Sequence, residues 1–320
     1  MNMLSGFRKI NGDKRKVLMN IVWAMAGKVI NMAGTLFVGV LVARYLGPEK
    51  YGIMNYVISY VTLFTVISSF GLENIEIREL AKSHESKNVI LGTCFGIRLC
   101  CSFMAFLILA CTLLINHIDR YTSLMIMCYS LTLFTGCFNI IRNYFTSIVK
   151  NEYVVKTEIS RTVVGACIKI VLLMLRAPLT LFVFASIFDT ILVASGYVLA
   201  YSKTVGKISD WTFDITQVPF FVKESFPLLL SGAAVIVYNR IDQVMIGNMI
   251  DNESVGYFAT AVKFLDLALF LPGVLVQTIT PLLVKIRRNG SEMEYSIKAQ
   301  QFVNVVVWCS IILSLLIIFS

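Results

Sequence analysis

Nine long apolar stretches are the feature that most constrains how this chain folds. A helix of about 20 mostly apolar residues crosses the ~30 Å hydrocarbon core of a bilayer. The stretches are residues 18–43, 51–72, 89–115, 122–149, 160–176, 179–202, 226–248, 256–284 and 300–320. Only 15% of the residues are charged, against about a quarter in soluble domains. We therefore predict an all-α integral membrane protein with about nine transmembrane helices.

The distribution of Lys and Arg predicts the orientation of these helices. With the N-terminus in the cytoplasm, 18 of these residues fall in cytoplasmic segments and four in outer segments. Basic residues concentrate in cytoplasmic loops, so this bias favours a multi-pass protein with a cytoplasmic N-terminus. The formal net charge of +9 then reflects loops that face anionic membrane lipid, and no nucleic-acid partner is expected.

No set of residues predicts catalysis, a metal or a cofactor. The eight cysteines all lie in apolar stretches, none forms a CxxC pair, and the chain has only two histidines. We therefore interpret the cysteines as small apolar packing residues. No Walker motif, acid pair or nucleophile–base set has suitable spacing, so an enzyme is not expected.

The polar segments predict the domain organisation. Residues 73–88 mix charged and apolar side chains, as a surface helix does, and residues 203–225 are expected to lie along the lipid headgroups. The second segment is the longest polar interruption, so we place the domain boundary there, with residues 1–202 forming a six-helix bundle. Gly92 and Gly96 permit close helix packing, and Pro272 favours a kink in the eighth span.

Three segments carry a resemblance to a known family. They are Ala43–Gly52, then Phe70–Leu72 with Arg78–Ala81, and finally Phe226–Gly232 with Tyr238–Gly247 and Val255–Phe258. Together they resemble the polysaccharide flippases (Wzx-like exporters of O-antigen and capsule precursors) of the multidrug/oligosaccharidyl-lipid/polysaccharide exporter superfamily.

The resemblance implies a fold, a substrate and a location. The family has MATE-like architecture, in which two six-helix bundles flank a central cavity. It moves undecaprenyl-diphosphate-linked oligosaccharide across the bacterial inner membrane, and a polysaccharide polymerase and a chain-length regulator are implied partners. The family has about twelve spans, so residues 203–320 would form an incomplete second bundle of three helices.

The loop between the first two spans has a defined local chemistry. Gly47 and Pro48 favour a tight turn, and Gly52 allows the next helix to approach closely. Arg44 is expected at the outer headgroups, either as a snorkelling anchor or as a functional group.

Four cations in the first six spans suggest a substrate site. At about 1.5 Å per residue, Lys28, Arg98 and Lys169 lie ~15 Å from the cytoplasmic side, and Arg142 lies ~10 Å from it. Because buried charges are costly in lipid, we predict a cationic cavity that attracts a diphosphate. Asp189, near mid-depth, is the acid expected to interact with these cations. The alternative is that each cation snorkels or pairs locally.

The later spans carry a second group of charges that we assign to gating or ion coupling. The group comprises Asp189, Arg240, Asp242, Lys263 and Asp266. Asp242 and Lys263 are expected at similar depth, so an ion pair between them would be either a structural bridge or a gate that opens with transport.

A lipid-linked oligosaccharide flippase is the function that these patterns favour. A related drug or cation antiporter and another lipid-precursor flippase are the nearest alternatives. A membrane glycan polymerase or a non-transporting scaffold would be equally apolar, but the predicted outer loops are too short for a polymerase site.

Overall fold

A computed structural model describes residues 12–82, 86–116, 118–266 and 292–318, with side chains from residue 32 onward except at positions 33, 294, 309 and 312–318. Within these ranges the secondary structure is entirely helical, as predicted. The α-helices are α1 (Gly12–Ser69), α2 (Glu73–Lys82), α3 (Lys87–Ile115), α4 (Arg120–Ser130), α5 (Thr132–Thr135), α6 (Asn139–Ser147), α7 (Asn151–Met174), α8 (Leu179–Thr204), α9 (Val218–Met249), α10 (252–266) and α11 (Glu292–Ile318).

The long helix α1 is divided by Gly47. Its 58 residues would span ~87 Å if straight, almost three times the hydrocarbon core. Gly47 has φ 72° and ψ 171°, a conformation that is essentially restricted to glycine, and Pro48 follows it with the φ that suits the start of a helix. The two arms of α1 therefore correspond to the first two predicted spans.

Replacing Gly47 by Ala is expected to destabilise the protein through backbone strain alone. A Cβ at Gly47 would contact nothing, so the expected loss of roughly 1–3 kcal/mol comes from the positive φ. Gly136 is the matched control, since it also has open space but a helical φ of −60°. Thermal unfolding in detergent should show a lower midpoint for Gly47→Ala and no loss for Gly136→Ala. Equal midpoints would contradict the strain argument.

Five helical segments in the described part of the chain are long and apolar enough to cross a membrane. They are Gly34–Lys82, Lys87–Ile115, Arg120–Ser147, Leu179–Thr204 and Ile215–Met249. The predicted fifth span, residues 160–176, lies on α7, which is not among the five segments. The predicted eighth span is described only as far as residue 266, and Pro272 lies outside the described residues.

The connections between helices meet in two separate groups. At one end, the Tyr45 hydroxyl donates to the Ala177 carbonyl oxygen at 3.1 Å. At the other end, the Thr212 amide donates to the Asn88 carbonyl oxygen at 3.2 Å. Since these connections alternate along the chain, successive long helices run in opposite directions, as a multi-pass protein requires.

An apolar core lies at the end where α2 meets the bundle. Its buried residues are Leu72, Ile75, Leu80, Ile90, Leu91, Cys94, Ile97, Cys101, Ile140, Ile141, Tyr144, Phe145, Val154, Tyr197, Tyr201 and Phe221. Cys94 and Cys101 are free thiols that pack in it, whereas Cys100, Cys111 and Cys167 lie on exposed faces. The predicted surface helix is thus anchored to the bundle through one apolar face.

The linker between α8 and α9 packs across α3. A Cβ on Gly92 would collide with the Thr212 backbone, and a Cβ on Gly96 would lie 2.7 Å from the Phe213 ring. The Asp214 amide also donates to the Thr93 hydroxyl at 3.0 Å. The glycine pair therefore receives the linker, whereas the sequence had suggested contact with another helix.

The second arm of α1 packs along α9, and we call this contact the α1–α9 seam. At one end Gly71 meets the backbone of Ser225 and Leu229, where an added Cβ would be 2.8 Å and 2.5 Å from the nearest atoms. In the middle, the Ser59 hydroxyl donates to Gln243 Oε1 at 2.6 Å. At the other end, the Tyr56 hydroxyl donates to Asn248 Oδ1 at 2.6 Å.

The turn into α10 completes the seam with two reciprocal contacts. Gly52 faces the Asn252 carbonyl so closely that a Cβ would overlap it, and Gly256 faces the Pro48 carbonyl in the same way. Each glycine lies four residues after the carbonyl that the other glycine contacts. These backbone contacts require glycine because they leave no room for a side chain.

The chain divides into two compact units, with the boundary between Tyr257 and Phe258. Helices α1 to α9 belong to the first unit, which contains every contact described above, and α11 belongs to the second. The expected boundary between two bundles at residues 202 and 203 stays a prediction.

Candidate functional site

Helix α7 has an apolar outer face and a charged inner face. Its exposed side includes Val163, Val164, Cys167, Ile170, Val171 and Met174. At about 100° per residue, Lys169 lies about 200° around the helix from Cys167, and Glu158 lies about 180° from it. Arg161 lies about 120° from Cys167 and is half-buried. These charged side chains therefore face the interior of the bundle and not the lipid.

Lys169 and Asp189 form an ion pair between α7 and α8. The Lys169 ammonium donates to Asp189 Oδ2 at 2.5 Å, and the side chains are 23% and 17% exposed. The carboxylate rests against Gly165, where a Cβ would overlap Asp189 Oδ1. Gly165 lies one helical turn before Lys169, so its missing side chain provides the space in which the carboxylate reaches the ammonium.

Tyr129 connects this pair with α9. It lies on α4 and interacts electrostatically with Asp189, Arg161 and Arg240. Arg240 is half-buried on α9. Asp189 and Arg240, both predicted from the sequence, therefore lie within the range of electrostatic interaction with Tyr129.

Arg142, on α6, lies beside the charged face of α7, at the end of that face nearer to α2. Its Nη1 is 3.4 Å from Glu73 Oε1, and its Nε is 4.0 Å from Glu158 Oε1. The Tyr197 hydroxyl donates to Glu158 Oε1 at 3.2 Å. The Arg142 side chain is 44% exposed, so it is more accessible than that of Lys169, which is 23% exposed.

Together these residues form what we call the charged row. Its members are Arg142, Glu158, Arg161, Lys169, Asp189 and Arg240. From Glu158 to Lys169 the row covers eleven helical residues, or ~16 Å, about half of the hydrocarbon core. Glu73 lies closer to Arg142 than Glu158 does, so the four cations of the row face three acids and exceed them by one. A net positive charge inside an apolar bundle suits an anionic ligand.

Arg98 does not belong to the charged row, contrary to its predicted place in a cationic cavity. Its guanidinium donates through Nε to Glu76 Oε1 at 2.6 Å and through Nη2 to Glu76 Oε2 at 2.9 Å. The Asn143 side-chain amide donates to Glu76 Oε2 at 2.6 Å. Both ionic side chains are almost fully buried, so Arg98 is neutralised where a substrate phosphate would have to compete with a bidentate carboxylate.

The remaining predicted charges are Lys28, Asp242, Lys263 and Asp266. Lys28 lies on α1, but its side chain is outside the described residues. Asp242 is exposed on α9, and Lys263 and Asp266 lie on α10 in the second unit. The pairing of Asp242 with Lys263 therefore stays a prediction.

Comparison with models of protein families shows which family the chain belongs to. The model of a family described as polysaccharide biosynthesis proteins matches residues 17–287, well over half of the 320 residues. The chain belongs to this family. Its members are generally transporters rather than enzymes. Comparisons with curated proteins and with solved structures found no significant match.

In this polysaccharide biosynthesis family member, the segments that carried the resemblance meet at the ends of the α1–α9 seam. Gly71 of the second segment contacts α9 next to Pro227 of the third. Gly52 of the first segment contacts the turn into α10, where the third segment ends. Arg44 is exposed beside the Gly47 turn and next to Tyr45, which binds the loop before α8.

Sequence reasoning missed several residues of the site. The Lys and Arg count places Arg161, the second residue of the predicted fifth span, on the cytoplasmic side, and it assigns no role to Glu158, Gly165 or Tyr129. The spacing of Glu158, Arg161, Gly165 and Lys169 by three and four residues was the available signal, because it places them on one helix face. Tyr129 had no such signal, since its position depends on how four helices pack.

Proposed function

We propose that this protein is a Wzx-like flippase for undecaprenyl-diphosphate-linked oligosaccharide, an O-antigen or capsule repeat unit. The charged row is the observation that carries the proposal. It combines an excess of positive charge with a location on interior helix faces, as a path for an anionic lipid headgroup requires. The match to the polysaccharide biosynthesis family supports glycan precursors as the cargo class.

The charged row reduces the cost of moving a diphosphate through the bilayer. An unpaired anion in hydrocarbon is strongly unfavourable, but Lys and Arg side chains neutralise it and bind its oxygens. Arg142, which is more exposed than Lys169, receives the headgroup first, and Lys169 with Arg240 receives it deeper in the membrane. The lipid tail stays in the bilayer while the sugars follow the diphosphate along the row.

We place the N-terminus in the cytoplasm of a bacterium, so that the Arg142 end of the row faces the side where such precursors are made. This orientation follows from the bias of Lys and Arg along the sequence. A polysaccharide polymerase and a chain-length regulator would then act on the exported unit at the outer face.

A related antiporter is the nearest alternative, because a drug or cation exchanger would also contain membrane-embedded charges. Its cargo is usually cationic, whereas the four cations of the charged row outnumber Glu73, Glu158 and Asp189 by one, so the row favours an anionic cargo. Another lipid-precursor flippase shares this chemistry and differs only in the sugar. A polymerase or scaffold would not need a row of cations that extends through half of the membrane.

Neutralising the deeper part of the row is expected to abolish flipping. The variant combines Lys169→Gln, Asp189→Asn and Arg240→Gln, which removes two cations without leaving Asp189 unpaired. Each lost charged contact with a phosphate should reduce transport about tenfold or more, and together about a hundredfold. Reconstituted protein would be assayed for translocation of fluorescent undecaprenyl-diphosphate-linked sugar.

Lys156→Gln is the control for this experiment. Lys156 also lies on α7, but its side chain is 60% exposed and its ion pair with Glu152 is long, at 3.9 Å. Its loss should leave both folding and flipping unchanged. Undiminished transport by the triple variant, at wild-type protein levels, would contradict the proposed path.

A further inference from the structure

Lys169 is occupied by a carboxylate of the protein itself. Asp189 neutralises its ammonium through a short contact, and both side chains are only partly exposed. In this arrangement the Lys169 site presents no net charge to an arriving ligand. An anion can bind the ammonium only if it displaces Asp189. Part of its binding free energy is then used to break the ion pair, so the apparent affinity of the anion for Lys169 is reduced.

Gly165 holds the carboxylate in place. Asp189 Oδ2 accepts from Lys169 while Oδ1 lies against the Cα of Gly165, in a space that even a methyl group would fill. The carboxylate is therefore seated in a small notch on α7 and is not a freely rotating surface group. This fixed position makes Asp189 an efficient competitor for Lys169.

A cationic site inside a membrane needs such a competitor. Anionic phospholipids surround the protein at very high abundance, and each carries one phosphodiester charge that a bare ammonium would attract. A diphosphate carries a second anionic phosphate. Arg240, which like Asp189 interacts electrostatically with Tyr129, is the cation that we assign to this second phosphate. The diphosphate can therefore offset the loss of the Asp189 contact, whereas a single phosphodiester cannot.

We infer that Asp189 is a built-in competitor that keeps abundant monoanionic phospholipids out of the Lys169 site and yields only to a lipid diphosphate. Asp189 reduces the affinity of the Lys169 site for every anion by the same factor. A phospholipid that binds weakly no longer occupies the site after this reduction, whereas a diphosphate that binds tightly still occupies it. The identity of the diphosphate rests on the proposed function, but the competition does not.

Binding of phosphatidylglycerol tests the inference without any glycan lipid. The purified full chain would be titrated with phosphatidylglycerol in detergent and analysed by native mass spectrometry. Asp189→Asn is expected to bind one phosphatidylglycerol molecule at Lys169 with an affinity about tenfold higher than that of the wild type, because the competing charge is gone. Adding Lys169→Gln to this variant should abolish the gain. Asp210→Asn, on the linker, should behave as the wild type.

A second readout separates this inference from the proposed function. In phosphatidylcholine vesicles with an increasing fraction of phosphatidylglycerol, transport of undecaprenyl-diphosphate-linked sugar by Asp189→Asn should fall as that fraction rises, whereas transport by the wild type should not. Equal phosphatidylglycerol binding by wild type and Asp189→Asn would overturn the inference. A gain in phosphatidylglycerol binding together with no sugar-lipid binding by the wild type would instead overturn the proposed function. Asp189→Ser, which also empties the notch, replaces Asp189→Asn if that variant does not accumulate.

Discussion

Replacing Glu76 by Gln is expected to destabilise the folded protein by about 3–5 kcal/mol, because it leaves the Arg98 guanidinium buried without a counter-charge. Glu76 is fully buried and accepts three hydrogen bonds, two from Arg98 and one from Asn143. The contacts link α2, α3 and α6. Thermal unfolding in detergent should show a midpoint lowered by on the order of 10 °C.

Glu79→Gln is the matched control for this prediction. Glu79 lies on the same helix as Glu76, but its ion pairs are with Arg78 and Lys82, whose side chains are 42% and 61% exposed. Exposed ion pairs contribute little to stability, so this variant should unfold close to the wild type. A similar loss of stability in Glu76→Gln and Glu79→Gln would show that the contribution of the Glu76–Arg98 pair to stability does not depend on its burial.

Removing both charges distinguishes an unpaired charge from a lost contact. In the double variant Glu76→Leu and Arg98→Met, no buried charge is left unpaired, and apolar side chains fill a similar volume. Such replacements are often neutral or stabilising, so the double variant should unfold above Glu76→Gln. If the double variant unfolds at the same temperature as Glu76→Gln or lower, the Glu76–Arg98 pair stabilises the fold by more than the neutralisation of its two charges.

The turn at Gly47 and the alternating helices were predictable from the sequence, whereas the Glu76–Arg98 pair was not. A Gly-Pro step between two apolar runs has a local cause that one segment of sequence contains. Glu76 resembles a surface residue in sequence because it lies in a segment that mixes charged and apolar side chains, and its partner is 22 residues away. Only the packing of α2 against α3 and α6 shows that it neutralises Arg98.

The charges of α7 illustrate a second limit. Counting Lys and Arg along the chain assigns each charge to one side of the membrane, so Arg161 was placed in a cytoplasmic segment. In the structure Arg161 lies one turn from Gly165 on the face that carries Lys169. The helix period predicts this shared face, but whether the face points to lipid or to protein depends on the neighbouring helices α1 and α8.

Replacing Gly52 by Ala is expected to disrupt the seam between α1 and the turn into α10. The new Cβ would overlap the Asn252 carbonyl, and both partners are backbone atoms of packed segments, so neither can rotate away. Overpacking of this kind costs about 1–3 kcal/mol, and the rigid partners place Gly52→Ala at the upper end. Thermal unfolding should show a lower midpoint, and under the proposed function export in a flippase-deficient strain should decrease as well.

Gly232→Ala controls for the general effect of removing a helix glycine. Gly232 lies on α9, and a Cβ there would contact nothing, so this variant should keep or raise the stability by up to about 1 kcal/mol. A loss of stability in Gly232→Ala as large as that in Gly52→Ala would mean that glycine flexibility is responsible, and not the close contact.

The reciprocal contact of Gly256 with Pro48 makes a stronger prediction. Separating α1 from the turn into α10 by the width of one methyl group would relieve the overlap at Gly52 and at Gly256 together. The double variant Gly52→Ala, Gly256→Ala should therefore lose clearly less stability than the sum of the two single losses, since one displacement accommodates both side chains. Additive losses would show that the two glycine contacts are independent, and the seam would then not close as a single unit.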